Sequence, residues 1–259
     1  MVGAASSRDQ YHHQWPLYRE TAMDLKSFEK QVAVSMTDIC REIFESRSHS
    51  IKIKKEQVAV GNLVRIFKAT LKLANRKGFH AMSLRDLCAE SGMSMGGLYA
   101  YFKNKEELLT LIQEQGRAIV ARVMGGRLRG IEDAKQALDM AIRSHLYLSE
   151  VLQPWFFFSY METRFFHAEE GKRAIAGELQ TEAIFSSILE RGMASGVFAI
   201  RDPLLVAAAI KAMLQDWYLK RWKYKRRKVS VEAYADFVVS MVSAYGAGKT
   251  MRGEKDDFS

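Results

Sequence analysis

The chain is short of the residues that build disulfide scaffolds, membrane spans and metal sites. Two cysteines, Cys40 and Cys88, among 259 residues exclude a disulfide framework, and their separation fits no zinc motif. Three prolines leave long stretches in which a helix can run unbroken. No apolar run reaches the roughly 20 residues that cross a bilayer, and the first thirty residues carry no charged-then-apolar leader. These absences lead us to expect a soluble, cytoplasmic protein with no membrane partner.

Catalytic constellations are scarce as well. The histidines, His12, His13, His49, His80, His145 and His167, are scattered, and none is followed at i+4 by a second ligand in a metal-binding pattern. Gly96-Gly97 lacks the strand and lysine of a phosphate loop, and no serine sits in a nucleophile elbow. The expectation is no catalytic residue, no metal and no cofactor, hence no enzyme. What the chain does have is a formal net charge of +9, which suits a polyanionic partner.

Periodicity is helical throughout, with no strand pattern and no repeat. Leu25, Phe28, Val32, Met36, Ile39 and Ile43 recur at spacings of three and four, which predicts one amphipathic helix. A basic lead-in, 51–56, precedes a helix from Glu56 to Lys77. Later helices are predicted from Lys105 to about Arg122, where Gly125 and Gly126 break the pattern, and from about Glu132 to Ser149. Another starts in the turn holding Pro154 and stays apolar nearly all round to Phe166. The last three are expected from Gly171 to Ser195, Pro203 to Trp222 and Ser230 to Tyr245. The fold class is all-α. The divisions are an N-terminal extension, 1–54, a DNA-binding region, 55–115, a larger helical bundle, 116–246, and a flexible tail, 247–259.

The stretch from Ser83 to Leu109 is the most specific. Ser83 can cap a helix with Asp86 returning the bond. Gly92 stands where the chain must turn sharply, and Ser94 can start a second helix with Leu98 and Phe102 facing inward. Asn104 caps a third helix, with Glu107 placed to complete a second capping box. Together these form a helix-turn-helix, the unit that lays its second helix in the DNA major groove. Base edges would be met by Ser94, Met95, Gly96, Gly97 and Tyr99, with Ser83 and Arg85 on the preceding helix within reach. Gly96 and Gly97 each cost the helix about 1 kcal/mol relative to alanine. Close approach to the groove and tight packing on the preceding helix explain them equally well.

Gly-Leu-Tyr-Ala-Tyr-Phe-Lys-Asn-Lys-Glu-Glu-Leu, residues 97–108, resembles the signature of the TetR/AcrR family of transcriptional regulators, and residues 66–79 resemble that family's first helix. The resemblance covers residues 58–115 without gaps, with Tyr101 where many members carry His. It implies phosphate contacts by Tyr99, Tyr101, Lys103 and Lys105. It also implies a homodimer paired through the last two helices, for which Ala207, Ile210, Met213, Leu214, Val238, Met241, Val242 and Tyr245 are the candidates. A small apolar effector would bind in the bundle. Trp155, Phe158, Met161, Glu162, Arg164, Phe165, Phe185 and Trp217 are its candidate contacts, with Arg164 pairing an anionic group of a fatty or aromatic acid or its CoA thioester. The function so implied is a repressor released from a palindromic double-stranded DNA operator. The rival reading is a ligand-sequestering or scaffold dimer with a vestigial helix-turn-helix. A second basic run, 220–228, is read as a solvated loop.

Overall fold

The computed structural model describes residues 23–32, 34–162 and 168–247; the histidine pair 12–13, Arg164, Phe165 and the tail beyond 247 lie outside them. The described residues form helices and no strand. The N-terminal extension holds α1 (Leu25–Val32) and α2 (Met36–Arg47). Next come α3 (Glu56–Lys77), α4 (Leu84–Ser91), α5 (Met95–Leu98) and the 24-residue α6 (Lys105–Leu128). The bundle continues through α7 (Ala134–Val151), α8 (Gln153–Glu162), α9 (Ala168–Ala194), α10 (Pro203–Leu219), α11 (Arg221–Arg226) and α12 (Val231–Gly246).

The extension is two helices rather than one. Ser35 and Asp38 form a full capping box, so the chain restarts a helix where apolar spacing alone predicts continuity. Phe28 of α1 packs edge-on against Tyr147 of α7, their ring centroids 5.7 Å apart. Ile39, Cys40 and Ile43 of α2 are buried, on the side where α2 meets α3. Polar ties then join α2 to α6. Arg47 pairs with Glu107 at 3.3 Å and Glu114 at 3.4 Å, and Glu42 takes Arg122 at 3.0 Å.

Two glycines do not end α6 where the periodicity predicts. Helix continues through Gly125 and Gly126 to a stop at Gly130, whose φ of +76° needs a glycine. Burial of Val123 and Met124 just before the pair offsets the propensity cost of about 1 kcal/mol per glycine. The start of α6 is also closed differently. Asn104 accepts from the Glu107 amide at 2.8 Å, but the Glu107 carboxylate accepts from the Lys103 amide, one residue short of a capping box.

Helix α7 is the axis of the bundle, buried on every side from Ala141 to Ser149, with α1, α6, α8, α9, α10 and α12 around it. Its Arg143 is held by Asp139 at 2.9 Å and Asp236 of α12 at 2.6 Å. The apolar α8 is not buried all round: Trp155, Phe158 and Glu162 are covered, while Tyr160 is exposed. The basic run 220–228 is not a free loop either. Most of it is α11, whose Lys223 and Tyr224 converge on Asp216 with Lys220, the residue before the helix, while Arg221 clamps Glu150.

Candidate nucleic-acid interface and ligand cavity

The turn between α4 and α5 is built as its residues suggest. Ser83 and Asp86 make both bonds of the capping box, and Gly92 ends α4 with φ +65°. Ser94 accepts from the Gly97 amide at 3.1 Å to start α5. One support is not evident from local sequence: Arg65 of α3 donates to the carbonyls of Ser91 and Gly92 at 2.9 and 2.8 Å, fixing the turn from behind. Another is the bond from the Lys52 amide to the Ala100 carbonyl at 3.0 Å. It lays the exposed Lys52 beside the end of α5, bringing the basic lead-in to the same face.

The candidate DNA-facing residues divide by exposure. Ser83, Arg85, Ser94, Gly96, Tyr99 and Lys103 are exposed, and Met95 and Gly97 are half-buried. A Cβ at Gly96 would meet nothing within 4 Å, so packing within the chain gives no reason for glycine there. Two candidates are otherwise engaged. Tyr101 is only 5% exposed and its hydroxyl accepts from the Asn62 amide at 2.9 Å, because the turn after α5 folds its ring inward. Lys105 donates to the carbonyls of His80 and Met82, both at 2.9 Å, and its ammonium lies over the Phe79 ring. It ties α6 to the α3–α4 connection instead of pointing outward.

A cavity of about 650 Å³ opens among α6, α7, α8, α9 and α10. Of the described effector candidates only Trp155 lines it. Its neighbours Phe156, Ser159 and Tyr160 complete the α8 wall. The opposite face of α8 turns toward α3: Phe158 packs on Phe79 and Glu162 accepts from the Phe79 amide at 3.0 Å. Phe158, Met161 and Glu162 are therefore off the cavity, because a helix apolar all round does not show which face is which. Phe185 is fully buried, and Trp217 is the centre of a separate cluster with Tyr224 and Tyr234, its indole donating to Glu150 at 3.0 Å.

The polar wall residues are ones that sequence reading passed over. Lys211 and Gln215 of α10 both donate to Glu178 of α9, at 2.9 and 2.6 Å. His145 of α7 is buried, and burial and then the nearby Lys211 charge hold it neutral, well below the usual histidine range. Arg117 of α6 is half-buried, and burial lowers its pKa. Gln113, one turn earlier, is buried at the same wall. A lone polar residue in an amphipathic helix carries no local signal that a cavity waits opposite it.

The candidate dimer residues divide by burial within the chain. Ala207, Ile210, Leu214, Val238 and Val242 are buried in the chain's own core, since those faces of α10 and α12 turn inward. Met213 is half-buried; Met241 and Tyr245 are exposed. The exposed apolar side instead carries Leu204 and Leu205 on α10 and Phe237, Met241 and Tyr245 on α12.

A headpiece built on a helix-turn-helix and joined to an all-α body with a central cavity defines a class of DNA-binding regulator. Residues 66–112 match the model of bacterial regulatory proteins of the tetR family, and residues 132–244 match that of the tetracyclin repressor-like C-terminal domain. The two together cover more than half of the chain, which belongs to the TetR family of transcriptional regulators. The regulator YvdT of Bacillus subtilis is 29% identical over 90 residues, 35% of this chain and 46% of YvdT, so the match spans about half of that relative. Among solved structures, the TetR-family regulator PfmR from Thermus thermophilus superposes with a TM-score of 0.62 at 27% identity, covering 71% of this chain and all of PfmR. AibR in complex with isovaleryl coenzyme A and operator DNA superposes with a TM-score of 0.61 at 21% identity, covering 68% of this chain and 95% of AibR.

Proposed function

We propose that the protein is a homodimeric repressor that binds a palindromic operator and releases it when a small, largely apolar effector enters the central cavity. In this reading 55–115 form the DNA-binding unit and 116–246 the effector-binding and dimerisation unit. The observation that carries it is the double duty of α8. One face of that helix walls the cavity with Trp155 and Phe156. The other holds the headpiece, with Phe158 on Phe79 at 5.9 Å and the Glu162 carboxylate on the Phe79 amide. Trp155 itself touches both sides, lining the cavity while its ring lies 5.5 Å from Phe67 of α3. A ligand that displaces α8 must therefore move α3, and with it the helix-turn-helix.

Helix α6 is the second route. Its first turn packs in the headpiece, and Gln113, Gly116, Arg117 and Val120 stand in the cavity wall. Occupancy shifts a population between conformations whose recognition helices fit, or do not fit, successive major grooves about 34–36 Å apart. The shift occurs only if the ligand distinguishes the two states, and about 1–3 kcal/mol of coupling is typical. Direct contacts are assigned to Ser83, Arg85, Ser94, Met95, Gly96, Gly97 and Tyr99, and backbone contacts to Lys103 and Lys52. A reading surface with one arginine and no asparagine or glutamine relies heavily on phosphates and DNA shape. The likeness to AibR, described with an acyl-CoA and operator DNA, supports an acyl effector here.

Selection of bound fragments from genomic DNA, with footprinting of the winners at near-physiological salt, tests the reading. A protected inverted repeat is expected. Retention that is salt-sensitive and indifferent to sequence would shift the weight to a ligand-sequestering dimer.

A further inference from the structure

Polar groups in the cavity wall fall into two sets. One is satisfied within the chain: Lys211 and Gln215 donate to Glu178, the Trp155 indole to the Ile112 carbonyl at 3.1 Å, and the Thr181 hydroxyl to the Gly177 carbonyl at 3.0 Å. The other is not. The Gln113 amide nitrogen and His145 Nδ1 are buried without a hydrogen-bond partner among the described residues. The Arg117 guanidinium lines the same cavity and makes no hydrogen bond or ion pair with them. A buried donor left unpaired costs about 1–3 kcal/mol, which an acceptor on a ligand would recover.

The placement of these donors is specific. Gln113 and Arg117 are four apart on α6, so they stand one above the other on one helix face. The arginine stem has room because residue 177 of α9 is glycine: a Cβ there would fall 2.6 Å from Arg117 Cδ. Gly116 does the same for the apolar side of the wall, where a Cβ would fall 2.8 Å from the Trp155 indole nitrogen. With Glu178 paired to Lys211, Arg117 is the remaining charge among the wall residues, attracted by Glu114 on its own helix but bonded to no carboxylate among the described residues.

We propose that Gln113 and Arg117 form the oxygen-binding end of the cavity and receive the carboxylate of an acyl acid or the carbonyl of its thioester, with the acyl chain against Val120, Trp155, Phe156 and Ile184. The proposal rests on the reading of this cavity as the effector site and names the chemistry that the site selects. Two oxygen lone pairs side by side meet an amide donor and a forked guanidinium, and no metal or covalent step is involved.

The test is calorimetric titration of the full-length protein with dodecanoate, dodecanoyl-coenzyme A and dodecan-1-ol. At least one of the two acyl probes is expected to bind ten-fold or more tightly than the alcohol, and which one does so separates free acid from thioester. Arg117→Met keeps the stem and removes the charge; Gln113→Leu keeps the volume and removes the donor. Each is expected to abolish the preference for the acyl probe and leave the melting temperature near that of the parent chain. Should either variant fail to fold, the ratio of the better acyl probe to the alcohol in the parent chain still decides. Equal binding of alcohol and acyl probes, no binding of either acyl probe, or a preference that survives both substitutions would overturn the proposal. Footprinting is scored separately. An operator found without acyl binding removes only the ligand class, and acyl binding without an operator removes only the regulator reading.

Discussion

Lys103 and Lys105 are two positions apart with the same charge, yet their surroundings give them different roles. Lys105 spends its donors on the carbonyls of His80 and Met82, while Lys103 is exposed in the turn before α6. Lys103→Ala is therefore expected to weaken binding to all DNA sequences alike and to reduce the salt slope by about one per protomer, about two for the proposed dimer. Anisotropy titrations across a range of salt concentrations would measure it, and an unchanged slope would remove Lys103 from the phosphate contacts. His145 supplies a pH prediction. Folded, it is held neutral well below its ordinary value of 6.5, whereas the unfolded chain takes up the proton. The unfolded state then binds more protons below about pH 6.5, so stability falls as pH drops from there toward the folded value, by at most about 1.4 kcal/mol per pH unit. Melting curves from pH 7 to pH 5 should show this slope in the parent chain and lose it in His145→Asn.

At the scale of elements, the N-terminal pair α1–α2 is held by one buried face and a set of half-exposed ion pairs. Cys40 lies under α2, fully buried, its thiol pushed up to about 12 by burial. Alkylation followed by mass spectrometry should find it unreactive while the half-buried Cys88 reacts. Pairs of this exposure contribute about 0.2–1 kcal/mol each, so removing three with Arg47→Ala and Glu42→Ala is expected to speed Cys40 labelling roughly ten-fold through local opening. Labelling at the parent rate would mean that the apolar face alone holds α2. The helix-turn-helix was legible because its signals are local: Ser83 with Asp86, Gly92, and Ser94 with Gly97 act within four residues of one another. The bounds of α3 were legible from the resemblance of residues 66–79 to the family's first helix and from Gly78 after Lys77, since its start carries no side-chain cap. The break at Ser35 was within reach, since Ser35 and Asp38 repeat the capping-box spacing, but unbroken apolar periodicity outweighed it. The cavity was not legible. Which face of α8 meets solvent, cavity or α3 depends on neighbours distant in sequence, and the wall's polar groups come from α6, α7, α8, α9 and α10, each contributing one to three residues with no spacing rule between helices. The dimer candidates were separable only in part for the same reason, because burial of Val238 and exposure of Phe237 follow from which side α7 occupies.

For the whole molecule, the exposed apolar residues of α10 and α12 are the surface assigned to a second copy in the proposed dimer. Phe237→Asp is expected to convert a dimer to protomers with little change in the fold, whereas Val238→Asp, aimed into the core, should unfold the chain instead. Sedimentation equilibrium with circular dichroism separates these outcomes; a Phe237→Asp variant that stays dimeric would place the interface elsewhere. In the proposed linkage, a ligand between α6 and α8 lowers operator affinity because α8 packs on α3 and Lys105 ties α6 to the α3–α4 connection. The most direct measurement is operator affinity, on the footprinted site, in the absence and at saturation of whichever acyl probe binds. Linkage of the usual size lowers that affinity by about 5–150-fold, and Arg117→Met should abolish the fall at the same probe concentration. Operator affinity that stays constant while calorimetry shows the cavity filled would mean that α8 does not carry the signal and that the cavity and the helix-turn-helix act independently.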